Sequence, residues 1–187
     1  MLSIAQLEAN QKKFKETNLK YNIFTKELED FLGEGFYTSP VSSSLNMIGC
    51  YPGGLLHHVI KACRYSLKLN EILPEELKQP VATIVKVVFL CQIGKVFMFK
   101  MSAGLTANKM YEFNDDIVRM HVGERSAYYA ITHGVKLTEE EYQAIVNIDK
   151  ENDDKMARYF SSPLTQIIKN GFELAIMEEK NGSKKRT

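Results

Sequence analysis

Nowhere in this 187-residue chain does an apolar run reach the roughly 20 residues that a membrane-spanning helix needs. The N-terminal MLSIAQLEANQKKFKE also lacks the basic-then-apolar order of a secretory leader, so a soluble cytoplasmic protein is expected. Cysteine is scarce. Cys50, Cys63 and Cys91 are odd in number and show no Cys-x-x-Cys spacing, which suggests neither a disulfide framework nor a zinc knuckle and fits a reducing compartment. An excess of charge is missing too: 24 Lys+Arg against 23 Asp+Glu leave +1, so no net field draws the chain to nucleic acid or an anionic membrane.

What is present is ordinary globular composition, 44% hydrophobic and 25% charged, on a chain long enough for one packed core. Ser3 to Glu16 reads as a surface helix and Asn22 to Leu32 as a second one closed by Gly33, both peripheral. Gly33 to Gly54 is dense in Gly, Ser and Pro yet carries Phe36, Tyr37, Met47, Ile48 and Tyr51, the pattern of a long ordered loop with those side chains partly buried. Leu55, Leu56, Val59, Ile60, Cys63 and Leu67 then recur at helical spacing to about Asn70, with His57 and His58 on the first turn. Pro74 and Pro80 bracket a connector, and the run VATIVKVVFLCQIGKVFMF is apolar nearly all round. It belongs at the centre of the core, and periodicity leaves helix and strand equally open. Gly123 to Thr132 reads as a helix closed by Gly134, Thr138 and Glu141 have capping-box spacing, and Pro163 opens a last helix through about Glu179. DKENDDKMARY reads as a solvated loop and NGSKKRT, with Lys184, Lys185 and Arg186, as a frayed basic end.

In CYPGGLLHHVIKA, a Tyr-x-Gly-Gly-Leu turn leads into a helix bearing His58, and FLCQIGKV holds Gly94-Lys95 at the end of the apolar run. VGERSAYYAITHGVKLTEEEYQAI and SPLTQIIKNGFELA follow in order. Taken together, these segments, from about Gly35 to Ala175, are similar to the HD-type metal-dependent phosphohydrolases, in their bacterial and bacteriophage branch. The resemblance implies an all-α, HD-domain-like bundle of about six to eight helices, resolves the Val-rich run as helix, and makes Val81 to Gln92 the most buried helix. In such enzymes a first His, a His-Asp pair and an Asp on the last helix converge on a divalent cation that activates water.

Of these four positions only His58 keeps its residue. Cys91 and Gln92 stand at the His-Asp pair and Phe172 at the closing Asp, while Ile48, Val122 and Ile148 replace the histidines that ring the family's pocket. An amide in place of a carboxylate removes charge, and a phenyl ring offers no lone pair, so a dication would be under-coordinated. His121, next to Val122, points about 100° away on a helix. The four positions should approach one another, with Cys91 a buried small hydrophobe, His58 satisfied locally and His57 exposed. Lys95, Arg125 and Ser126 match retained family features and stand between a structural role and contact with a phosphate. Asp115-Asp116 and Asp153-Asp154 read as solvated loop charge.

The expected organisation is N-terminal helices over 1–33 packed on the core, a degenerate HD-like domain over 34–179, and a basic flexible tail over 180–187. The expected function is a catalytically inactive domain, of bacteriophage type, kept as an interaction or structural module with no catalytic residue, no metal and no cofactor. The alternatives are a module binding a nucleotide or other phosphorylated ligand in a vestigial pocket of His58, Cys91, Gln92, Lys95 and Arg125, and a phosphohydrolase with a rebuilt metal site. Partners are then another protein or a second copy, with Phe97, Met98, Phe99 and Met101 as a candidate surface, and neither membrane nor nucleic acid.

Overall fold

A computed structural model describes residues 2–106, 109–150 and 161–184. The chain is predominantly helical: α1 (Ile4–Tyr21), α2 (Lys26–Leu32), α3 (Gly35–Thr38), α4 (Gly54–Ile72), α5 (Val81–Leu90), α6 (Val122–Thr132), α7 (Glu139–Val146) and α8 (Pro163–Lys184). Local chemistry sets several boundaries. Ser3 and Gln6 close a capping box on α1, Thr138 and Glu141 do the same on α7, and Gly134 follows α6 with φ 82°. Among the described residues no helix is long and apolar enough to cross a membrane.

The apolar run resolves as helix only to Leu90. Six of the ten residues of α5 are buried, and it packs against α1, α4, α6, α7 and α8, which makes it the central element. Beyond it the chain makes a 3-10 turn over Ile93–Lys95 and then enters a hairpin, β1 (Phe99–Thr106) and β2 (Lys109–Phe113). The strands are antiparallel, pairing Phe99 with Phe113, Lys100 with Glu112 and Met101 with Tyr111, and the register shifts before Thr106. The Phe97–Met101 stretch therefore divides: Met98 is buried, Phe97 and Phe99 are half-buried, and Met101 lies in the open.

The N-terminal helices pack on the core, α1 through Phe14, which is buried and whose ring meets those of Phe24, Phe36 and Phe89 at 4.7–5.2 Å. Two further expectations change. The loop from Gly33 to Gly54 contains α3, buries Phe36 and leaves Met47 exposed. The last helix continues past Glu179 to Lys184, so the basic end is helical that far. Asp153-Asp154, most of DKENDDKMARY, and Lys185 and Arg186 lie outside the described residues.

Candidate functional site

The glycine pair ahead of α4 is there for steric reasons. Gly53 has φ +75°, and a Cβ on it would meet Leu7 Cδ2 at 2.4 Å; a Cβ on Gly54 would meet the Gly49 carbonyl oxygen at 2.2 Å. The tight turn aims α4 inward. His58, one turn on, is buried, and its Nδ1–H donates to Glu179 Oε1 of α8 at 3.1 Å. Phe172 lies on α8 seven residues before Glu179, on the same face, with its ring centroid 5.5 Å from the imidazole. The expected meeting of His58 with Phe172 is therefore present.

Glu179 sits in a charged network. Burial raises its pKa, yet the hydrogen bond and charge of His58 and the charge of Lys61 outweigh that and hold the carboxyl below its ordinary value. Lys61 Nζ lies 3.7 Å from both Glu179 and Glu178, Arg64 reaches Glu178 at 2.5 Å, and Tyr65 donates to Glu178 at 2.8 Å. Tyr51 is pushed up to about 12, by burial first and then by the Glu179 charge. His57 is half-buried rather than exposed, because its Nδ1 lies 3.3 Å from Asn10 Nδ2 of α1. Burial, then Lys61, pushes its pKa down.

Cys91 and Gln92 follow the end of α5, and both are buried. Cys91 is fully buried, and its Sγ donates to the Ala144 carbonyl of α7 at 3.9 Å. Burial drives its thiol far above the ordinary value, with Asp149 adding to the shift, so it does not serve as a thiolate. Gln92 is buried, and its Oε1 has no hydrogen-bond partner among the described residues.

Gly94, Arg125 and Ser126 are accounted for by packing. A Cβ on Gly94 would meet the Val122 carbonyl oxygen at 2.5 Å, so glycine is what lets the 3-10 turn lie on α6. Ser126 Oγ accepts from Gly94 N and donates to the Cys91 carbonyl, both at 2.9 Å. Arg125 is buried and donates to the carbonyls of Gly94, at 3.4 Å, and Val118. Lys95 makes no such bond among the described residues, and burial pushes its ammonium down to about 8 against the pull of Asp149.

Asp149 is a residue that sequence reasoning passed over. Its carboxylate accepts from Val122 N at 2.9 Å and Gly123 N at 3.4 Å, capping α6, and lies 3.5 Å from exposed His121. Glu179 was missed as well, since nothing in a single sequence ties it to a histidine 121 residues away. Ile48, Val122 and Ile148 are half-buried. Asp115 pairs with Arg119 at 3.3 Å on the surface. Among the described residues no three His, Cys, Asp or Glu side chains are grouped to hold a metal ion.

Comparison with family models, with curated proteins and with solved structures gives no match to this chain.

Proposed function

We propose that this chain is a degenerate HD-like domain without hydrolytic activity, kept as an interaction or structural module. One observation supports this most: of the four positions where the family holds its cation, His58 offers a single ring nitrogen, because Nδ1 is bonded to Glu179, and Gln92 offers a neutral amide oxygen. Phe172 presents a ring and Cys91 a protonated thiol turned to Ala144. A divalent cation needs three or four donors, with charge to offset its desolvation. The residues present do not fit one. Without a cation, the pKa of an attacking water stays near about 15.7 rather than near 7, and little hydroxide forms at neutral pH.

A buried histidine bonded through Nδ1 to a carboxylate is also how metal proteins orient their ligands. Here the pair joins α4 to α8 directly, and that is the work left for it. The phosphorylated-ligand alternative keeps Lys95 but loses Arg125 to backbone carbonyls. Metal analysis of protein purified without chelators, nucleotide-dependent melting and a phosphodiester assay test all three readings. The expected result is no stoichiometric divalent metal, no nucleotide-dependent shift in Tm and no turnover. A shift in Tm that Lys95→Met removes would favour the ligand-binding module, and metal-dependent turnover lost in His58→Ala would make the chain an enzyme.

A further inference from the structure

Resting on the reading as an interaction module, we propose that residues 176–184, the last turns of α8, form a detachable strap across a basic face of α4, and that a helix of another protein presenting paired carboxylates takes its place there. The two halves of α8 are held differently. In the first half Leu164, Ile167, Ile168, Phe172 and Ala175 are buried. A Cβ on Gly171 would meet the Ala62 carbonyl oxygen and Ser66 N, both at 3.0 Å, so this half lies directly on the backbone of α4 and is fixed by shape. Past Ala175 none of residues 176–181 is buried, and Met177 is 56% exposed.

Charge holds the strap instead. His58, Lys61, Arg64 and Tyr65 follow one another at helical spacing on α4, and all four turn to two carboxylates of α8, Glu178 and Glu179. His58 and Glu179 are shielded, but the side chains of Arg64 and Glu178 are 50% and 36% exposed, so water and ions screen their pairing and it contributes little. A segment held in this way opens locally at less cost than the core half of the same helix.

The occupant of the face shows what fits it. Glu71, in the last turn, is the one acidic residue of α4, while Lys61, Arg64 and Lys68 form a stripe along this side. Lys68 is exposed and forms no ion pair among the described residues, so the stripe runs on beyond the strap. Opening bares Lys61 and Arg64 together and leaves their charge unpaired, which favours a segment with carboxylates at the spacing of Glu178 and Glu179 and gains nothing from a basic one. The strap is thus the chain's own competitor for that partner.

Hydrogen exchange of the full chain, read by mass spectrometry at low and at molar salt, tests the strap. Residues 176–184 should exchange about fivefold faster in molar salt, and also in Arg64→Gln at low salt, while residues 164–175 exchange as before. Simple fraying of a helix end ignores both changes and would overturn the proposal, as would an α8 that opens as one unit. A fluorescent peptide copying residues 173–184 probes the face. It should bind the Glu178→Gln, Glu179→Gln chain, checked for unchanged helical content, about tenfold more tightly than wild type, and lose that gain in molar salt. Equal binding to the two chains removes the partner from α4. An inactive chain whose end ignores salt sinks the strap alone; a salt-labile end on a chain with metal-dependent turnover sinks the inactive reading and leaves the strap standing.

Discussion

Two polar clusters flank the centre of the molecule, and they hold their helices by opposite means. Between α4 and α8, side chain meets side chain: His58 and Lys61 on Glu179, Lys61, Arg64 and Tyr65 on Glu178. Between the end of α5 and α6, side chain meets backbone: Arg125 on the Gly94 and Val118 carbonyls, Ser126 on Gly94 N and the Cys91 carbonyl. The first kind responds to pH and salt; the second is fixed by shape and tolerates almost no replacement. Gly94, Arg125 and Ser126 are thus held in place by packing and backbone hydrogen bonds alone.

The largest effect is expected on the backbone-anchored side. Arg125→Ala empties a buried site and strands two carbonyls, and it should lower unfolding free energy by about 4 kcal/mol in denaturant titration. A loss below about 1 kcal/mol would mean that the guanidinium is not a structural anchor and would return it to the list of ligand contacts.

Next comes the charged side. Glu179→Gln keeps an acceptor for His58 but removes the charge, and should cost about 2 kcal/mol at neutral pH. The sign follows from the depressed carboxyl: its contribution is complete above the ordinary value of 4.5 and is lost as pH falls through the lower folded value. Melting curves from pH 7 to 3 should converge for wild type and variant; parallel curves would show that Glu179 acts through packing alone.

Lys95 should give the smallest effect. Its folded value, about 8, is below the unfolded 10.5, so the folded state binds fewer protons between them and stability rises with pH across that window. Lys95→Met should flatten the rise, by less than about 1 kcal/mol, because the residue is only half-buried and the water that still reaches it screens the desolvation behind its lowered pKa. A rise of equal size in the variant would assign it to other groups.

Much of the helical plan was legible because its signals are local: the Thr138–Glu141 box, Gly33 and Gly134 as stops, and the apolar stripe of α4. The hairpin was not, since Phe99 to Phe113 has no strong turn signal and begins inside an apolar run that α5 already accounts for. At the site, motif matching located His58, Cys91, Gln92 and Phe172, and the structure brings His58 to Phe172. What could not be read was direction. Cys91 sits at the end of α5 yet faces α7, and Arg125, in the first turns of α6, is buried on the Gly94 carbonyl, because orientation is set by neighbours far along the chain.

The α4–α8 contact, the most extensive between helices among the described residues, joins His58 to a residue 121 positions later. A contact of this sequence separation raises the contact order of a helical chain, and its folding rate should fall below that of bundles whose helices pair with their sequence neighbours. The same length makes the closure forgiving of insertions: doubling a flexible connecting loop adds only about 0.6 kcal/mol of entropy cost. Added segments between α4 and α8 are thus cheap for this architecture wherever they leave the faces of α5 uncovered.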